Sequence, residues 1–201
     1  MRKIGILGGS FNPIHYGHLL LAEWAREDLG LDEVFFIPAG DPYFKKGGEM
    51  LCGEERLHMT QMALEDRQGF QCLDLEVKRS GPTYTYETLI ELQNQYPDAQ
   101  FFFLCGADCL FTIETWKCPE LIFANCTLVA MVRDNASSPE MEAKKQALEA
   151  AFQANILLLP FLRYAISSTK IRERVRMRQS IRYLVPEAVR NYILEKEFYR
   201  E

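Results

Sequence analysis

The chain has 201 residues, 48% of them hydrophobic and 12% aromatic, enough to bury one substantial core without metals or crosslinks. A net charge of -5 argues against nonspecific nucleic-acid binding, which calls for a basic surface. No apolar run is long enough to cross a bilayer and Met1-Arg2-Lys3 leads into no signal peptide, so a cytoplasmic protein with no membrane partner is expected.

In chain order, Lys3 to Leu7 predicts a short buried strand broken by Gly8-Gly9, and from about His15 the spacing of Leu19, Leu20, Ala22 and Trp24 becomes helical. The unit then recurs. Val34 to Ile37 predicts a strand, Glu54 to Leu64 a helix, Phe70 to Val77 a strand, Thr85 to Gln95 a helix and Phe101 to Cys105 a strand. A strand at Thr127 to Val132, a helix around Glu140 to Phe152 and a strand at Ile156 to Leu159 follow. The tail from Ser167 reads as wholly helical, with Pro186 as the first residue of its last helix. Such alternation predicts an α/β fold: a doubly wound, mostly parallel sheet with helices on both faces and a helical C-terminal segment. A single domain over 1–201 is expected, with the sheet core in 1–165 and the helical part in 166–201. The Gly- and Pro-rich stretch from Ala39 to Gly53 is a candidate gating loop, and Arg133 to Pro139 is either a second one or a plain surface turn.

Six cysteines, Cys52, Cys72, Cys105, Cys109, Cys118 and Cys126, fall mostly in apolar stretches with no C-x-x-C pair, so reduced, buried thiols are expected. Between Phe161 and Arg182 stand Arg163, Lys170, Arg172, Arg174, Arg176, Arg178 and Arg182, with Glu173 the sole acid. In an acidic chain this run marks a solvated helix face or a local anion site.

The first strand leads into Gly8-Gly9-Ser10-Phe11-Asn12-Pro13-Ile14-His15-Tyr16-Gly17-His18, which contains neither G-x-G-x-x-G nor a Walker lysine pattern. It sets His15 and His18 three residues apart at the start of a helix, hence on one face, beside glycines that permit close backbone approach. The free N–H groups of a helix N-terminus draw phosphates to the same place. A zinc site is disfavoured, because the only other histidine, His58, has no further ligand at metal spacing, and no protein metal ligand is assigned.

This stretch resembles the H/T-x-G-H signature of the nucleotidyltransferase superfamily, and its full form resembles the bacterial nicotinate-nucleotide adenylyltransferases, whose fold is Rossmann-like. Ile166-Ser167-Ser168-Thr169-Lys170-Ile171-Arg172 resembles the superfamily's I-S-S-T-x-I-R motif at a capped helix start. Pro82 to Leu89 resembles the family's S-Y-T-x-x-T-L segment. Gly106-Ala107-Asp108 with Trp116 resembles its G-x-D and following tryptophan, and Tyr183 to Val189 its closing helix. The similarity spans essentially the whole chain.

The resemblance implies adenylyl transfer from ATP to nicotinate mononucleotide, with Mg2+ bound mainly through the ATP phosphates. The reaction asks for positioning and fixed positive donors more than for a general base. His15, His18, Lys45 and Arg172 are the implied catalytic donors. Gly8, Gly9, Ser10, Phe11, Ile166 and Ser168 are the implied ATP contacts, together with His18 and Arg172. For the second substrate the family pattern implies Thr85 at the nicotinate acid group, Asp108 at a sugar, Trp116 stacked on the pyridine and Arg133 at the phosphate. Ile166 fits equally a core residue and Asp108 a helix cap; for Trp116 the stacking role is preferred to a core tryptophan, because Thr115 and Lys117 beside it suggest an exposed loop. The chain departs from the family at Pro42-Tyr43-Phe44-Lys45, where P-P-H-K is common, and at Arg133-Asp134-Asn135, where Arg-Pro-Gly is usual. A sister transferase for nicotinamide mononucleotide or phosphopantetheine, and a noncatalytic nucleotide sensor, are the alternatives. A homo-oligomer is compatible with the sequence, and a nucleic-acid role for the arginine-rich tail is not expected.

Overall fold

The computed structural model describes residues 1–40, 50–133, 138–161 and 165–200, with Arg133 described by its backbone alone. The strands are β1 (Arg2–Gly9), β2 (Glu33–Pro38), β3 (Phe70–Cys72), β4 (Ala99–Gly106), β5 (Thr127–Arg133) and β6 (Ile156–Phe161). They form a sheet of order β3-β2-β1-β4-β5-β6, every neighbouring pair parallel. The α-helices are α1 (Tyr16–Leu29), α2 (Gly53–Leu64), α3 (Leu75–Lys78), α4 (Thr85–Gln95), α5 (Asp108–Thr112), α6 (Pro119–Asn125), α7 (Pro139–Phe152), α8 (Ser168–Arg176) and α9 (Glu187–Glu195). None among the described residues is long and apolar enough to cross a membrane.

Parallel strands covered on both faces read as continuous apolar runs, and β2, Glu-Val-Phe-Phe-Ile-Pro, is buried at every position. Alternate side chains feed two cores. Leu7, Phe36, Phe102 and Val129 pack with Leu19 of α1, Met59 of α2 and Ile171, Val175, Val189 and Ile193 of α8 and α9. Ile6, Phe35, Phe103 and Ala130 pack with Leu89 of α4, Ile122 of α6 and Leu148 of α7. The C-terminal helices thus share the first core with the sheet. Local signals set the helix ends. Gly30 adopts φ 59, a left-handed conformation that favours glycine, and its N–H caps α1 on Arg26 O and Glu27 O. Ser138 caps α7 by accepting from Met141 N at 3.2 Å, and Ser167 caps α8 by accepting from Lys170 N at 3.3 Å.

Three expectations are corrected. The strand expected over Phe70 to Val77 ends at Cys72: the Leu73 N–H still reaches Phe36 O at 2.9 Å, but at Asp74 the chain leaves the sheet and winds into α3. The tail is not wholly helical. Between α8 and α9 it turns through Arg178 and Tyr183, both at positive φ, and Pro186 is the residue before α9 rather than its first. All six cysteines are free thiols, yet Cys126 alone is buried and Cys52 is exposed. The helices α5 and α6 carry too few residues for an apolar period to show.

The order β3-β2-β1-β4-β5-β6 reverses direction between β1 and β4. At such a switch the loops leaving the carboxyl ends of two adjacent strands part to opposite faces and open a crevice, where doubly wound sheets bind ligands.

Candidate active site

Both glycine-rich strand ends fall at this switch: β1 runs out through Gly8 and Gly9, and β4 ends at Gly106. After β1 the chain passes through Phe11, whose φ of 43 is unusual for a residue with a side chain, and whose ring is fully buried. Its ring meets the His18 ring edge-on with centroids 5.0 Å apart. His15 ends the loop as the N-cap of α1, only 6% exposed, and its ring stacks on His18 at 3.6 Å and 15°. The His15 N–H donates to His18 Nδ1 at 3.3 Å, which assigns the neutral His18 proton to Nε2 and makes that N–H a donor.

The second motif is brought to the same loop. Ser168 Oγ donates to Pro13 O at 2.8 Å, and Arg172 Nη1 donates to Asn12 O at 3.0 Å. His15, Gly17, His18, Gly106, Ile166, Ser167 and Lys170 line one cavity of about 390 Å³. Gly17 packs beside Ile166 and the His15 ring: a Cβ built there would lie 3.8 Å from Ile166 Cβ and 3.0 Å from His15 Nδ1.

A second cavity of about 590 Å³ lies toward β2 and is lined by Gly8, Gly9, Gly40, Glu76, Thr83, Tyr84, Thr85, Thr88, Phe103 and Trp116. Thr85 opens α4, so its N–H lies in the first turn, where no intrahelical acceptor exists. Trp116 is half-buried with its ring edge-on to Phe103 at 6.2 Å. Lys117, next to it, holds its ammonium 4.0 Å from the Tyr84 ring centroid.

The expected site residues therefore divide. His15, His18 and Ile166 share the first cavity, while Ser168 and Arg172 tie the loop beside it. Gly8, Gly9, Thr85 and Trp116 share the second. Ser10 contributes its carbonyl to an internal hydrogen bond, and Phe11 packs against His18. Asp108, exposed at the start of α5 two residues past Gly106, lines neither cavity. Lys45 lies outside the described residues, as does most of the expected gating loop. Arg133 ends β5, its side chain outside the described set.

Arg56 was not anticipated. It is 0% exposed, and its guanidinium donates to Leu51 O at 2.9 Å, Ser10 O at 2.8 Å and Gly40 O at 3.1 Å. One side chain thus ties the ends of β1 and β2 to the start of α2. The signal was present: Arg56, Met59, Thr60 and Ala63 follow the i, i+3, i+4, i+7 spacing of a buried face. Asn12 is a second hub, its Oδ1 accepting from Leu51 N at 3.3 Å and from the Tyr199 hydroxyl at 2.8 Å. Burial raises the Tyr199 pKa against the lowering influence of Arg172 and Arg56, so the phenol stays protonated and donates.

Burial lowers the His15 pKa to about 4, against a smaller raising effect of its backbone hydrogen bond. Burial, and then the charge of His15, holds His18 well below 6.5. Both rings are neutral donors at pH 7 before an anion arrives. A folded-state pKa below the unfolded one means that the unfolded chain binds the extra proton between the two values. The cost from His15 is therefore absent well above pH 6.5 and grows to about 3 kcal/mol as pH falls to 4. Urea unfolding at pH 7 and pH 5 should show the wild type losing more stability than His15→Asn. Equal losses would contradict the buried neutral state.

A doubly wound sheet with a phosphate-attracting helix start and two cavities at its switch point defines a nucleotide-binding α/β protein. The chain belongs to the cytidylyltransferase-like family, whose model matches residues 6–174. It is 44% identical over 199 residues to a probable nicotinate-nucleotide adenylyltransferase of Lachnoclostridium phytofermentans, covering 99% of this chain and 100% of the relative. A probable enzyme of the same name from Clostridium botulinum is 40% identical over 201 residues, covering 100% of both. The nicotinic acid mononucleotide adenylyltransferase of Plasmodium falciparum, solved with NaAD, superposes with a TM-score of 0.79 at 20% identity, covering 99% of this chain and 98% of that one. The resemblance read from the sequence motifs is thus borne out across the whole chain.

Proposed function

We propose that the chain transfers the adenylyl group of ATP to nicotinate mononucleotide, giving nicotinate adenine dinucleotide and pyrophosphate. The observation that carries this reading is the meeting of two motifs about 150 residues apart: Ser168 and Arg172 bond the carbonyls of Pro13 and Asn12, just before His15. The full-length relatives bearing that enzyme name support the same acceptor.

The chemistry follows from the donors. The acceptor's phosphate, already ionised near neutral pH, attacks the α-phosphorus of ATP. A new P–O bond forms as the bond between the α-phosphorus and the bridging oxygen breaks, and pyrophosphate leaves in line. No covalent enzyme intermediate is required. The His18 Nε2–H faces the α-phosphate, and His15, stacked on its ring, holds it there. Arg172 and the first turn of α8, with Ser168, meet the β- and γ-phosphates. Ile166, which lines the first cavity beside Gly17, flanks the adenine. Thr85 meets the acid group, Trp116 the pyridine face and Asp108 a sugar hydroxyl; Lys45 and Arg133 are proposed at phosphates. Mg2+ enters as the counterion of ATP, held mainly by its phosphates. Among the described residues no three His, Cys, Asp or Glu side chains gather as a metal cage, so no protein ligand is assigned to it.

Pyrophosphate release with nicotinate mononucleotide, nicotinamide mononucleotide and phosphopantetheine as acceptors tests the choice. The expected result is the highest kcat/KM with nicotinate mononucleotide, and preference for either other acceptor would overturn it. Tight ATP binding with no product from any acceptor would favour a nucleotide sensor instead.

A further inference from the structure

Glu76 is the one charged side chain among the described residues lining the second cavity, whose other walls include Ile6, Ile37, Leu89, Phe103 and Trp116. Its carboxylate is held at both oxygens: Oε1 accepts from the Thr88 hydroxyl at 2.8 Å and Oε2 from the Thr83 hydroxyl at 3.1 Å. Arg79 approaches the same cluster, donating to Thr88 Oγ1 at 3.2 Å, yet its ion pairs go to Glu91 at 2.5 Å and Glu87 at 3.7 Å. Among the described residues Glu76 has no cationic partner. A half-buried carboxylate with no ion pair among the described residues, set in the wall of a mostly apolar cavity, is complemented by a ligand that brings the opposite charge.

On the reading of the second cavity as the acceptor site, the acceptor does bring it, because the ring nitrogen of a pyridine mononucleotide bonded to ribose carries a permanent positive charge. We propose that Glu76 is the countercharge for this pyridinium ring and a specificity determinant for acceptors with a charged ring. The geometry suits a zwitterionic ring. The acid group meets Thr85 at the positive end of α4, and Thr88, which holds Glu76, lies about one helical turn further in. Trp116 adds an aromatic face, which itself favours a cation.

The test compares nicotinate mononucleotide with its dihydropyridine form, which has the same outline and acid group but an uncharged ring. The wild type should show a KM roughly tenfold lower for the charged ring, the scale of one partly screened charge pair. Glu76→Gln should raise that KM about tenfold, leave the KM for the uncharged ring within about twofold and change kcat little. Glu76→Asp, which keeps the charge, should restore most of the discrimination. A structural role alone would weaken both ring forms alike, and that outcome overturns the proposal. So does a wild type that does not distinguish them, a comparison that stands even if Glu76→Gln fails to fold. Transfer to no pyridine nucleotide at all would overturn the acceptor assignment as well, whereas transfer indifferent to ring charge overturns this inference only.

Discussion

His18→Ala should lower kcat by about 100- to 1000-fold, the usual cost of removing one fixed donor from a transition-state anion. ATP affinity should fall far less. The reason lies in the pair of contacts that fix the ring. The His15 N–H bonds Nδ1, so the proton sits on Nε2, and stacking between the His15 face and the Phe11 edge leaves the ring little freedom. Such a donor needs no reorganisation when charge builds on the α-phosphate. On the proposed reading, ground-state ATP is held by Arg172 and the α8 N-terminus as well. The folding cost should be about 2 to 3 kcal/mol, since the His15 N–H loses its partner and the Phe11 and His15 rings lose the ring packed between them. Steady-state kinetics with a parallel urea titration separates the two quantities. An unchanged kcat, or an ATP Kd that rises as much as kcat falls, would place His18 in binding rather than in the transfer step.

Arg56→Met should destabilise the protein by on the order of 4 kcal/mol and lower activity as well, although Arg56 lines neither cavity. Methionine approximates its volume but leaves the Leu51, Ser10 and Gly40 carbonyls without their donor. Ser10 leads into the histidine loop and Gly40 lines the second cavity, so the loss loosens both sides of the site. Gly40 is closely fitted there, because a Cβ would stand 2.5 Å from Glu76 O. Arg56→Lys should recover only part of the loss, since an ammonium cannot span three acceptors as a planar guanidinium does. Urea unfolding measures the effect. A change below about 1 kcal/mol in Arg56→Met would mean that the three carbonyls find other donors.

The sheet was legible because its central strands are apolar runs with buried middles, β2 buried at every position, and because β1 and β4 end in glycine, so apolar runs and punctuation coincide there. The helix over Thr85 to Gln95 was read with its observed ends. Phe70 to Val77 was misread because its apolar residues alternate closely enough to mimic an edge strand. The winding into α3 is fixed instead by long-range contacts: Glu76 reaches Thr83 and Thr88, and Gly40 packs on its backbone. The histidine loop and the Ser168/Arg172 turn were legible as motifs. Their meeting is tertiary, made by two hydrogen bonds to carbonyls that no sequence pattern displays. Arg56 and Glu76 were missed for a related reason. Arg56 stands on a readable buried helix face, but its three carbonyl partners are tertiary; Glu76 is an ordinary charged residue in sequence until the fold sets it in the wall of the second cavity.

The central claim, that two distant motifs build one cradle for a reacting triphosphate, is tested most directly by a crystal structure with a nonhydrolysable ATP analogue and nicotinate mononucleotide. The account predicts an α-phosphate oxygen about 3 Å from His18 Nε2, the outer phosphates against Ser168 and Arg172, and the pyridine beside Trp116. A triphosphate bound away from the histidine pair, with Ser168 and Arg172 turned from it, would contradict the account.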